Sequence, residues 1–211
     1  MDIQSARINT AGAYVCLTGL YPFAIGTQLY KGRIPVVRLG GHQEEHETGW
    51  QCAAREVYEE ANLQIKPLTP PTTYLADGDH IETELKEIQW QPEADQEHIP
   101  LLVVAYRREG GTLLSLMYLA QAEGLPTPSS EVKGLLLLKE VDIQRLCQEP
   151  LTLGQYLSSG GKALLNHEFD TSLILEPFAQ LRLLARILRA QSKSTSSESY
   201  KVSDGESYAR Y

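Results

Sequence analysis

Three glutamates, Glu56, Glu59 and Glu60, stand three and four positions apart, a spacing that puts them on one face of any helix they occupy. Like charges so placed repel, at a cost of a few tenths of a kcal/mol in an isolated helix. A hard divalent cation relieves that repulsion. Mg2+ prefers oxygen ligands, keeps several waters and bridges carboxylates to phosphates. Glu44, Glu45 and Glu47 precede the trio and add oxygen, and the pair Gly40-Gly41 lets backbone approach a phosphate or an ion at the helix entry. Arg55 can pair with Glu47 or Glu56 and fix a carboxylate's orientation. An oriented glutamate beside a metal can take a proton from water, so the chemistry on offer is attack of water on phosphorus. Against this stands the plain reading of EVYEE as the solvated face of a surface helix, and the flanking residues must decide.

The helix that carries the trio is well marked. Thr48 and Gln51 make a capping box at its start. Trp50, Ala53, Ala54, Val57 and Ala61 form an apolar stripe at about 100° per residue, away from the glutamates. Asn62 suits a left-handed end, and Pro67, Pro70 and Pro71 forbid continuation. Around it the pattern predicts a strand over 8–19 with Ala11, Ala13, Val15 and Leu17 on one face, a turn over 21–26, and two short extended pieces over 27–39. Further on come a short strand at 72–75, an ambiguous stretch at 80–90, a central strand over 99–106, and a hairpin through Gly110-Gly111 into 113–122. A Pro/Ser loop over 125–130, a buried strand at 135–138 and a helix from 141 to 147 follow. A short helix at 153–157 and a strong helix over 173–190 complete the folded part, with Arg182, Arg186 and Arg189 read as a solvated face. Residues 192–211 are rich in Ser, Tyr, Lys and Glu and cannot bury enough apolar surface to fold alone. The order of elements predicts an α/β sandwich with a mixed sheet between helices. The division expected is a domain over 1–150, a C-terminal helical extension over 151–190 packed on it, and a polar flexible tail over 191–211.

The stretch from Gly41 to Leu63 resembles the Nudix box, G-x5-E-x7-R-E-U-x-E-E-x-G-U with U aliphatic. It supplies Gly41, Glu47, Arg55-Glu56-Val57, Glu59-Glu60 and Leu63 in register. Asn62 replaces the pattern's Gly, a mild departure because Asn tolerates the same left-handed conformation. Leu39 stands where many members have Pro. The box covers about a tenth of the chain, and the strand order extends the resemblance loosely to Cys147. The resemblance implies an α/β/α Nudix-like fold, hydrolysis of a diphosphate linkage, and Mg2+ as cofactor, with Mn2+ as a substitute. It implies Glu59 and Glu60 as metal ligands, Glu56 as ligand or base, and Glu47 with Arg55 as the orienting pair. The Gly40 carbonyl and Glu44 would be further ligands. A carboxylate from a later loop would be base or ligand, with Glu131 the candidate and Glu97, Glu109 and Glu123 competing.

The substrate class stays at a small-molecule nucleoside diphosphate derivative. Gly78 sits where ADP-ribose pyrophosphatases carry a proline, and Asp79, His80 and Ile81 occupy the zone where diadenosine-polyphosphate hydrolases carry a tyrosine. Two rival readings share the fold. One is a non-hydrolytic nucleotide-binding or regulatory module, whose mark would be lost box carboxylates, and none is lost. The other is a prenyl diphosphate isomerase, which would want an active-site cysteine; Cys52 has no evident role. Tyr74, Tyr106, Tyr118 and Trp90 could stack on a base, with core packing favoured for Tyr106 and Tyr118.

The chain has 211 residues, 42% hydrophobic and 22% charged, enough for one soluble domain without a staple. A net charge of -8 with no Lys/Arg run argues against nucleic-acid binding. No apolar stretch is long enough to span a bilayer and the N-terminus does not read as a signal peptide, so a cytoplasmic protein with no membrane partner is expected. Cys16, Cys52 and Cys147 read as reduced thiols, and with no His-x-x-x-His pair zinc is not expected. The C-terminal helix could cap the domain or form a homodimer contact.

Overall fold

The computed structural model describes residues 6–90 and 98–199, and the side chains of 193–199 are not among those described. The fold is α/β, as expected. The strands divide between two mixed sheets. The larger is built from β1 (Arg7–Cys16), β4 (Leu39–His42), β5 (Ile65–Leu68), β6 (Thr73–Asp77), β7 (Lys86–Ile88), β8 (Leu102–Arg108) and β9 (Gly111–Ala122), in the order β4-β1-β9-β8-β6-β7 with β5 also paired to β9. The smaller contains β2 (Tyr21–Ile25), β3 (Ile34–Val37), β10 (Gly134–Leu138), β11 (Lys162–Leu165) and β12 (Leu175–Pro177), in the order β11-β10-β2-β3-β12. Among the described residues there are four helices: α1 (Gly49–Ala61), α2 (Glu140–Gln148), α3 (Leu153–Ser158) and α4 (Ala179–Ser199).

Both faces of β1 are covered, which is why its burial does not simply alternate. Ala13 and Val15 pack with Val57 and Ala61 of α1, and Ala11 with Cys52 and Ala53. Tyr14 points the other way, into a core shared with Phe23 and Val36 of the small sheet and Leu184 of α4. Its hydroxyl donates to the Gln180 carbonyl at 2.7 Å. Helix α1 starts and ends as the sequence dictates. Thr48 Oγ1 accepts from the Gln51 amide and Gln51 Oε1 from the Thr48 amide, while Asn62 is left-handed at φ 55° and donates to the Tyr58 carbonyl. Its buried side is Cys52, Ala53, Val57 and Ala61, with Trp50 and Ala54 only half-buried. A β-branched residue at position 62 would strain at positive φ. Asn62→Val should therefore cost about 1–2 kcal/mol in urea unfolding, and Asn62→Gly should cost little.

Three expectations need correction. The turn expected over 21–26 is strand β2; the chain reverses earlier, at Thr18 and Gly19, both at positive φ. The helix expected over 173–190 begins only at Ala179, because Leu175, Glu176 and Pro177 pair in parallel with Ile34, Pro35 and Val36. The arginines of that helix, expected as a merely solvated face, are part-exposed but engaged. Arg182 holds Glu176 Oε1 and the Pro177 carbonyl, Arg186 donates to the Ile81 and Thr83 carbonyls, and Arg189 reaches Gln144. The expected tail over 191–211 lies mostly outside the described residues. Among the described residues, no helix is long and apolar enough to cross a membrane.

Candidate active site

Strand β4 delivers Gly40 and Gly41 to the flank of α1, and a loop carrying Glu44 and Glu47 connects the two. Arg55 is the hub. Its Nε and Nη2 donate to the two carboxylate oxygens of Glu47 at 2.7 and 3.1 Å, and Nη2 also donates to the His42 carbonyl at 3.0 Å. Nη1 serves Glu56 Oε1 at 2.9 Å and Glu59 Oε2 at 2.8 Å. These bonds raise the Arg55 pKa above its ordinary value, and the hydrogen bond from Arg55 holds Glu47 below the usual carboxylate value. Glu47 also accepts from the Glu44 amide at 2.9 Å, which ties the loop to the hub.

Glu60 leaves the hub and turns inward, where its Oε2 accepts from the Gly40 amide at 2.8 Å. Burial pushes its pKa up to about 7; the Gly40 amide opposes this, Glu56 adds to it, Arg38 opposes it and Glu131 adds to it. Glu131 thus falls within electrostatic reach of Glu60. The placement has a cause: the amides of Thr127 and Ser129 cap the Ala61 and Glu60 carbonyls, docking the Pro/Ser loop on the end of α1. Of its competitors, Glu123 lies 3.7 Å from Lys66, Glu109 sits in the β8–β9 hairpin, and Glu97 lies outside the described residues. Glu44 is exposed.

Gly41 leaves no room for a side chain: a Cβ there would stand 2.2 Å from Glu56 Oε1. Arg38, which the sequence reading did not single out, lies on the far side of Gly40, with Nη1 only 2.1 Å from where a Gly40 Cβ would stand. It is the cation next to the acidic run from Glu44 to Glu60, and that contrast in charge was the signal available. Tyr74 and Tyr118 are buried in the core, and Cys52 is fully buried with its Sγ 3.8 Å from the Gly41 carbonyl.

The site fits a hard cation in donor chemistry. Glu47, Glu56, Glu59, Glu60 and Glu131 offer oxygen only, against Arg55 and Arg38, so negative charge is in surplus. Among the described residues, no three side chains of His, Cys, Asp and Glu stand grouped around a point that could hold an ion. The reason is the hub: Glu56 and Glu59 spend oxygens on Arg55, and Glu60 spends one on Gly40. Glu59, at 39% side-chain exposure against 15% for Glu56, is the arm freest to change partner.

No family model matches the sequence, and no curated protein matches it. Solved structures do resemble it. One is a NUDIX-family hydrolase from Clostridium perfringens, at 18% identity, covering 65% of this chain and 84% of that one, with a TM-score of 0.43. Another is a MutT NUDIX hydrolase from Burkholderia pseudomallei, at 17% identity, covering 74% and 96%, with a TM-score of 0.40. A third is a C. elegans Ap4A hydrolase binary complex, at 17% identity, covering 65% and 84%, with a TM-score of 0.40.

Proposed function

We propose that this chain is a Mg2+-dependent hydrolase of the Nudix type, which cleaves the diphosphate linkage of a nucleoside diphosphate derivative by attack of water on phosphorus. The observation that carries this is the Arg55 hub: one guanidinium holding Glu47, Glu56 and Glu59 in bonds of 2.7–3.1 Å, beside a glycine pair that admits Glu60. A purely solvated acidic face would not require an arginine joining a loop to the next turn of its helix, nor a Gly41 pressed against Glu56.

Glu56, Glu59, Glu60 and the Gly40 carbonyl are the groups to hold the metal, with Glu44 within the same loop. When bound, the ion screens charge on the diphosphate and lowers the pKa of its water. Glu47 and Arg55 orient Glu56. Glu131 and Glu56 are the candidates to take the water's proton, and Glu60, held near neutrality by burial, becomes a full carboxylate when a cation offsets that burial. A nucleotide-binding module without turnover shares all these groups except a need for them.

Two measurements test the reading. Purified protein with Mg2+ should release monophosphate from at least one compound in a panel of nucleoside diphosphate derivatives, and EDTA should stop it. Binding across the panel without turnover would replace the enzyme with the sensor. Gly41→Ala should slow turnover about tenfold or more, by displacing Glu56, while changing the melting temperature by only about 2 °C.

A further inference from the structure

On the face of the large sheet opposite α1, a pocket of about 300 Å3 opens beside Arg38. Its walls come from three neighbouring strands and α4: Thr10 of β1, Ser115 of β9, Tyr106 and Arg108 of β8, and Gln180. The volume is at the small end for ligand sites. The lining is polar. Thr10 and Ser115 hydroxyls bond each other at 2.8 Å, and the Tyr106 ring is already occupied, with the Gly78 backbone against it and the Arg108 guanidinium 5.2 Å from its centroid. A stacked base therefore finds little to stack on.

Arg38 is the unexplained group. It is largely buried, yet among the described residues its guanidinium makes one long hydrogen bond, Nη1 to the Ala11 carbonyl at 3.4 Å, and no carboxylate comes within ion-pair distance. The other arginines of the core and sheet ends are matched: Arg33 and Arg182 with Glu176, Arg55 with three glutamates, Arg107 with Asp77, Arg108 with Asp79. A buried guanidinium has up to five donors to satisfy and is costly unpaired. Tetrahedral oxyanions suit it, and the hydroxyls, the Gln180 amide and Arg108 complete a matching donor set.

We propose that this pocket is a phosphate subsite, filled by a phosphate that the substrate carries away from the bond it loses, with Arg38 as its main ligand. This rests on the hydrolase reading for the word substrate, and on the pocket alone for the phosphate. Arg38 joins the two regions physically, because Gly40 lies between its Nη1 and Glu60. The substrate class is then a diphosphate bearing a further phosphate, and free orthophosphate is the other source of the same chemistry.

The full chain is titrated calorimetrically, in EDTA, with NADPH, NADH, coenzyme A, dephospho-coenzyme A and orthophosphate; hydrolysis of the same compounds is followed with Mg2+. The phosphorylated member of each pair should bind about tenfold tighter or better, and show the lower KM where it is hydrolysed. Arg38→Met should erase the difference and Arg38→Lys restore part of it. Leu113→Trp, at the pocket wall, should also erase it and does not touch the buried cation, so a misfolded Arg38 variant leaves the test intact. Orthophosphate binding that depends on Arg38, without a difference within the pairs, would overturn the substrate-borne source in favour of free phosphate. Equal binding within pairs and no Arg38-dependent orthophosphate binding would overturn the subsite altogether. Arg38-dependent discrimination with no hydrolysis of any diphosphate would keep the subsite and sink the hydrolase.

Discussion

Glu60→Gln should make the metal-free protein more stable at pH 8 while removing its hydrolytic activity. The folded carboxyl titrates near 7 against an ordinary value of 4.5, chiefly because it is buried. Below 4.5 both folded and unfolded chains carry the proton and Glu60 costs nothing. As pH rises from 4.5 to 7 only the unfolded chain releases it, so stability falls; above 7 the loss is complete, at about 3 kcal/mol. Gln keeps an oxygen for the Gly40 amide and never pays this penalty. The variant should melt about 5–10 °C above wild type at pH 8 and level with it at pH 4, by calorimetry in EDTA. Mg2+ should raise the melting temperature of wild type more than that of the variant, since an ion bound only by the folded state adds stability. Turnover should drop about a hundredfold or more. A variant that melts lower at pH 8 would show that Glu60 is not held against its burial.

Arg55→Ala should be the most damaging single change in the site. It strips Glu47, Glu56 and Glu59 of their shared cation while leaving all three charged and only 16%, 15% and 39% exposed at their side chains. Breaking such a network costs about 3 kcal/mol in chemical denaturation at pH 7, toward the lower end for buried pairs because the hub is part-exposed. The Glu47 contribution to the pH dependence should disappear. In wild type the depressed Glu47 pKa contributes stability above its ordinary value, lost as pH falls through the folded one. Without Arg55 that contribution is gone, so the gap between wild type and variant should narrow as pH falls through the Glu47 pKa. Arg55→Lys should recover little, because an ammonium cannot replace the bidentate grip on Glu47. An Arg55→Ala protein with unchanged urea midpoint and unchanged turnover would dismiss the hub.

The site was legible because its determinants are local. Capping at Thr48, the left-handed Asn62 and the relation of Glu56, Glu59 and Glu60 are all fixed within one helix, and they stand where the spacing put them. What the spacing could not show is how the carboxylates divide: two to Arg55, one to a backbone amide on another strand. Strands β2 and β12 of the small sheet were illegible for a related reason, although β10 and β3 fall where extended chain was expected. Residues 175–177 carry apolar character that suits either a strand or the first turn of a helix, and their partner β3 lies far away in the chain. Pro177 closes the edge strand β12, where a missing amide costs nothing. Likewise the 21–26 segment was expected as a turn, although Pro22, Phe23, Ala24 and Ile25 are buried. Arg38 was missed because a lone arginine has no spacing to read.

The bond between Tyr14 and Gln180 spans 166 positions, and β12 seals the edge of a sheet begun by β2 and β3. A nascent chain leaving the ribosome therefore holds β1, β2 and β3 open until the residues of β12 and α4 have been made. Helix α1, with its acidic rim, must wait until the residues of α4 have been made before the layer behind it closes. Such late closure makes folding slow and leaves the early strands exposed to each other on neighbouring chains.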